Sequence, residues 1–114
     1  MSSTDKEKLD TISKNNVGAA TISGAISIDG STYSLYVVTL SGNVSGITLS
    51  SNPIKGNAVD VILYGNGEER SVSIAHSGVY KTSTGESLAI TVPANGYAEI
   101  NFLYDGTNIW VRGV

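Results

Sequence analysis

The chain has no cysteine, two prolines, one histidine, one methionine and one phenylalanine in 114 residues, and charged side chains make up only 15% of it. Without cysteine there is no disulfide framework, no thiolate metal site and no thiol nucleophile, and the redox compartment stays undecided. With a single histidine, any Ser-His-Asp arrangement must use His76, and no nucleophile-elbow sequence accompanies it. No apolar run approaches the roughly eighteen residues of a membrane span, and polar residues follow Met1 where a signal peptide has its apolar core. Membrane insertion is therefore not expected. Basic residues are scarce as well: Lys6, Lys8 and Lys14 stand beside Asp5, Glu7 and Asp10, and the rest of the chain carries four bases against seven acids. No basic stripe tracks phosphates, which argues against a nucleic-acid partner.

What the chain does have is neutral polarity, with 16 Ser, 10 Thr and 9 Asn beside 40% apolar residues. The apolar residues fall in alternating runs, enough for a packed core, and a net charge of -3 repels little. The length suits one domain with one modest core.

Residues 2–13 read as a short helix, with Thr4 as cap and Glu7 completing a capping box. Its apolar stripe is only Leu9 and Ile12, too little to hold a helix in water alone, so either the chain's own β domain or a three-fold seam between copies must cover it. After a break at Asn15, Asn16 and Gly18 the period changes to two over residues 20–28. Ala20, Ile22, Gly24, Ile26 and Ile28 face one way, and Thr21, Ser23, Ala25 and Ser27 the other. Asp29-Gly30 then reads as a type I′ hairpin turn that sets Ile26 opposite Tyr33, Gly24 opposite Leu35 and Ile22 opposite Val37. Beyond Leu35 the second strand is apolar on both faces, with Tyr36, Val38 and Leu40 joining Leu35 and Val37, and one cover is expected to be another subunit. Further strands read at 44–50, 58–64, 70–76 and 88–92. In the last hairpin, Asp105-Gly106 as a two-residue turn pairs Phe102 with Ile109 and Ile100 with Val111 as core, and sets Glu99 opposite Arg112 and Asn101 opposite Trp110. The expectation is an all-β fold, an antiparallel β-sandwich or jelly roll with a short N-terminal helix, assembled as a trimer. Residues 1–16 form the helix and linker and 17–114 the β-sandwich domain.

The opening Met1-Ser2-Ser3-Thr4-Asp5-Lys6-Glu7-Lys8-Leu9-Asp10-Thr11-Ile12 resembles a segment, MS-x-x-DK-x-KLD-x-I, that recurs in tailed-bacteriophage fibre proteins. Residues 42–114 resemble a terminal β module of such fibres, through Gly42-Asn43-Val44, Leu49-Ser50-Ser51-Asn52-Pro53, Gly56, Arg70-Ser71-Val72-Ser73-Ile74 and Phe102-Leu103-Tyr104-Asp105-Gly106-Thr107. After Ile74, where a tryptophan-containing loop is common, this chain has Ala75-His76-Ser77-Gly78-Val79-Tyr80. The resemblance implies the distal domain of a tail or head fibre that follows an upstream shaft. Such a domain is a homotrimer on the virion, exposed to the extracellular medium, that binds a host-surface glycan or protein. A purely structural trimerisation or spacer module and, third, a glycan depolymerase are the alternatives.

The chemistry-bearing residues favour adhesion over catalysis. Glycan hydrolysis needs two carboxylates about 5 to 9.5 Å apart, whereas Glu68 and Glu69 are adjacent and diverge if extended, and Glu86, Glu99, Asp60 and Asp29 are scattered. Asn66-Gly67-Glu68-Glu69 and Asp105-Gly106-Thr107-Asn108 lack the full spacing of a calcium loop and read as turns. No metal, no cofactor and no catalytic residue are expected. The longest polar connections, 65–69 and 76–87, are the expected receptor contacts, with Tyr80 as the aromatic outside a strand and His76, Lys81, Asn66 and Glu68 around it. Leu9, Ile12, Tyr36, Val38 and Leu40 are the expected trimer contacts, and Trp110 is assigned to packing.

Overall fold

The computed structural model describes residues 17–113, so the helix at 2–13 and its contacts Leu9 and Ile12 lie outside the described residues. Eight strands run β1 Val17–Asp29, β2 Leu35–Ser51, β3 Ala58–Tyr64, β4 Arg70–Ile74, β5 Tyr80–Thr82, β6 Leu88–Val92, β7 Tyr97–Tyr104 and β8 Ile109–Gly113. The fold is all-β. Strands expected at 58–64 and 88–92 form with those bounds, the one at 70–76 stops at Ile74, and the two expected on either side of residues 41–43 are one continuous β2.

The largest departure from expectation lies at Asp29-Gly30. β1 and β2 are not a hairpin: they pair in parallel, with Val17 beside Leu35, Ile22 beside Leu40 and Asp29 beside Ser51. A straight strand of 13 residues would be roughly 43 Å long, yet the six residue steps from Asp29 to Leu35 reach at most about 21 Å. The chain must therefore wind back on itself as a coil, and β1 bends to do so. Residues 35–39 of β2 pair in parallel with 60–64 of β3, and Val44 with Val72 of β4, so the winding continues into a third level. At the bend, Ser41, Gly42 and Asn43 of β2 bulge against Ser23 of β1, and Asn43 Oδ1 accepts the Ser71 N–H at 2.9 Å.

The Asp-Gly pair serves a different turn. Asp29 accepts the Ser31 N–H at 3.0 Å, the Ser31 hydroxyl at 2.7 Å and the Thr32 hydroxyl at 2.6 Å, together with the Ser51 hydroxyl from the next coil. These donors hold its carboxyl well below the usual carboxylate range, Ser51 having the largest effect. Gly30 donates its N–H to the Ser51 carbonyl at 2.9 Å. A Cβ there would stand 2.7 Å from that same oxygen, so glycine is required by close approach, not by positive φ.

Antiparallel pairs complete the fold: β3 with β7, β7 with β8, and β4 with β6, while the short β5 adds in parallel to β8. The result is one mixed sheet, in the order β5-β8-β7-β3-β2-β4-β6 with β1 on β2, instead of two separate antiparallel sheets. Gly113 of β8, the strand next to one edge, lies against Ile90 of β6 at the other edge, so the sheet nearly closes on itself. Inside lie Ile26, Ile28, Val38, Leu40, Val61, Leu63, Ile100, Phe102, Ile109 and Val111, among others. The four residues assigned to the core of the last hairpin are therefore there. Their register is two residues away from expectation: Phe102 pairs with Val111, Asn101 with Arg112 and Leu103 with Trp110. The turn is longer because Asp105 takes the Thr107 and Asn108 N–H groups at 2.8 and 2.7 Å. A shift by two keeps every side chain on its face.

Val38 and Leu40 are 0% exposed within the chain's own core, which removes them from any seam between copies. Tyr36 packs against that core too, edge-on to Tyr33 with ring centres 5.2 Å apart. The outward side of the same strand holds Leu35 and Val37. Of the five apolar residues of this strand half, Tyr36, Val38 and Leu40 are thus covered by the chain's own core instead of by another subunit, while Leu35 and Val37 stay half-exposed on the outward side.

Candidate functional site on the outer sheet face

Alternation along each strand settles which side chains reach the outer face of the β3–β7–β8–β5 region. With Ile109 and Val111 buried, Trp110 and Arg112 point outward; with Ile100 and Phe102 buried, so do Asn101 and Leu103; with Thr82 buried, so does Lys81. Register then aligns Lys81, Trp110 and Leu103 in one row across three strands, and Arg112 beside Asn101 in the next. These residues and Ser83 line a cleft of about 330 Å³.

Trp110 is 47% exposed, and its indole N–H donates to Asp105 Oδ2 at 2.8 Å. That bond satisfies the polar edge of the ring and fixes its orientation, leaving apolar surface to solvent. The Asp105 carboxyl is held below its ordinary value, first by the Asn108 N–H and then by the Trp110 indole and the Thr107 N–H. Asn101 Nδ2 donates to Asp60 Oδ1 at 2.7 Å, which locks Asn101 and partners Asp60. Among the described residues the ion pair present is Arg70 with Glu68, so neither Lys81 nor Arg112 has an acidic partner there.

The five expected receptor residues divide into two groups. Asn66 and Glu68 are exposed on the 65–69 turn, where Asn66 has a φ of 61° as a turn asparagine tolerates. Arg70 pins that turn through the Gly65 carbonyl at 3.0 Å and Glu68 at 3.2 Å, and Gly65 and Gly67 donate to Gly96 and Ala94. The turn follows Tyr64, which pairs with Tyr97, whereas the Trp110 row crosses β7 at Leu103, six steps and roughly 20 Å along the strand. The structure does not bring the two groups together.

Tyr80 is in strand β5, not in a loop. It is half-buried against the core, and its hydroxyl oxygen accepts the Leu49 N–H at 2.9 Å. His76 is also spent internally: its Nδ1 accepts the Thr82 N–H at 3.0 Å, while the Thr82 hydroxyl donates to the Glu86 carbonyl. A hydroxyl whose proton is given to a carbonyl is not activated by that imidazole. Of the expected contacts around the second loop, only Lys81 faces outward into a cleft. Trp110, Arg112, Asn101 and Leu103, which line that cleft, are not among the contacts expected from the sequence. The available signal was parity: a tryptophan on the polar face of its strand beside arginine is out of place for a core residue. Among the described residues no three His, Asp or Glu side chains converge as metal ligands do. Comparison with protein families, curated proteins and solved structures returned no match.

Proposed function

We propose that the chain is the distal module of a tailed-bacteriophage fibre, a homotrimer on the virion that adheres to a host-surface glycan without performing chemistry on it. The observation that carries the reading is the parallel winding of β1, β2 and β3. The outer edge of β1 has no strand partner among the described residues, so a preceding coil of a shaft can add to it by the same parallel pairing. The opening segment's resemblance to fibre proteins agrees with that polarity. Self-assembly has a suitable surface in Leu35, Val37 and Ile62, half-buried apolar residues that face outward on neighbouring strands, with exposed Val17 and Tyr97 at the margin. Adhesion is favoured over hydrolysis because His76 is engaged by Thr82 and Glu68 by Arg70.

Light scattering on the full chain is expected to give three times the chain mass, and the labelled trimer is expected to bind cells of a susceptible bacterial strain without releasing sugar. A chain that stays single at micromolar concentration overturns the trimer. A spacer module is the second reading, favoured by the internal use of Tyr80 and His76; trimers that bind no strain in a broad panel would establish it.

A further inference from the structure

The cleft beside Trp110 has a composition at odds with the rest of the chain. The protein is acidic overall, yet two of the four basic residues beyond residue 14, Lys81 and Arg112, meet at this one surface. They flank an exposed indole whose N–H is already committed to Asp105. Lys81 stands directly beside Trp110 across the β5–β8 pair, and Arg112 is two residues along β8 on the same face. The ring faces no other aromatic among the described residues, where the ring contact is Tyr33 with Tyr36. A fixed apolar plate, two cations without an acidic partner among the described residues, and Ser83 thus line one concavity. Its volume of about 330 Å³ is at the small end of ligand sites, which run roughly 300–1,000 Å³.

Resting on the adhesion reading, and deepening it, we infer that this cleft binds an acidic saccharide, a sugar ring bearing a carboxylate such as a uronic acid. The C–H face of a pyranose stacks on the indole, as flat amphipathic rings favour. The carboxylate meets the planar guanidinium fork of Arg112, which matches its two oxygens, while Lys81 supplies a second positive charge. Apart from Ser83 the lining residues are on strands, so their geometry is pre-set and little ordering is required on binding. Three copies in a fibre then compensate for weak single-site affinity.

Trp110 is the sole tryptophan of the chain, so tryptophan emission, excited at the red edge where the six tyrosines do not absorb, reports this cleft alone. The full chain is titrated with oligogalacturonate, with a neutral oligosaccharide of equal length and with a sugar phosphate. A saturable change with oligogalacturonate in the roughly millimolar range that multivalent adhesion tolerates is expected, with the neutral sugar binding at least about tenfold more weakly, as loss of a charge-assisted hydrogen bond implies. Lys81→Gln and Arg112→Gln should each weaken binding about tenfold with unchanged circular dichroism, and Arg112→Lys should fall between, since it keeps the charge and loses the fork. Equal responses to neutral and acidic sugars, a response to the sugar phosphate alone, or no response overturns the inference. Cell binding separates it from the adhesion reading. A double Lys81→Gln, Arg112→Gln variant that adheres as well as the parent overturns the cleft as the contact while adhesion stands. Saturable binding of oligogalacturonate by a chain that adheres to no strain supports the cleft and overturns adhesion.

Discussion

The Tyr80 hydroxyl accepts the backbone N–H of Leu49 at 2.9 Å, joining the edge strand β5 to the far half of β2 across 31 residues of sequence. The bond spans the nearly closed sheet, and the ring beneath it packs on the core. Tyr80→Ala is therefore expected to lower unfolding free energy by about 2–4 kcal/mol, the range for truncating a large, mostly buried side chain. Tyr80→Phe should cost about 1 kcal/mol, the net worth of one hydrogen bond. Urea melts of both variants check this. A Tyr80→Ala protein as stable as the parent would return the residue to the surface.

Gly30 offers a test of the coil itself. Were Asp29-Gly30 a hairpin turn with positive φ, asparagine would replace the glycine far better than alanine does. In the coil the obstacle is the Ser51 carbonyl, 2.7 Å from any Cβ, with Pro53 Cδ at 3.0 Å. Gly30→Ala and Gly30→Asn are then expected to destabilise alike, by about 1–3 kcal/mol as overpacking does. Tolerance of asparagine alone would count for the hairpin and against the parallel pairing.

Trp110 should report the protonation of Asp105. Folding lowers the Asp105 carboxyl below its ordinary 3.8, chiefly through the Asn108 N–H. The carboxylate is thus favoured in the folded state, and its stabilising contribution is fully present above that ordinary value and lost as pH falls toward the depressed one. Trp110 emission should be constant from neutral pH down to about 4 and shift below it as the indole loses an ionised acceptor. Asp105→Asn should abolish the shift while keeping an acceptor in place. A shift that survives the substitution would mean that another group, such as Asp29, controls the change.

Much of this fold is legible in strand parity and little of it in pairing. Ile26, Ile28, Ile100, Phe102, Ile109 and Val111 all reach the core as their period-two pattern requires, because burial acts on each residue where it stands. Pairing is decided by turns, and Asp-Gly is compatible with more than one. Asp29 can accept from Ser31 and Thr32 and send the chain around a coil, or it can tolerate positive φ in a hairpin; only the distant Ser51 selects between them. The same ambiguity at Asp105 lengthened the last turn by capturing Thr107 and Asn108. The site was half legible. Lys81 and Trp110 meet through a parallel β5–β8 pair that no local pattern encodes, and the three-residue β5 is too short to announce itself as a strand.

The assembly surface can be separated from the core by one step along β2. Val37 and Val38 are neighbours in sequence, yet Val38 is fully buried while Val37 faces outward between Ala19 and Ile62. Val38→Asp buries a charge with no partner and should unfold the domain. Val37→Asp leaves the inner packing intact, so the fold should survive with a modest loss of stability. If the outer face of β2 and β3 is the three-fold seam, that variant loses the apolar contribution of a buried valine, about 1.5–3 kcal/mol per chain. It also places three like charges around one axis, which compounds the loss. Light scattering should then show single chains where the parent gives three, with circular dichroism retaining the β signal. Trimers that persist in Val37→Asp would move the seam off this face, and the apolar row of Leu35, Val37 and Ile62 would need another partner.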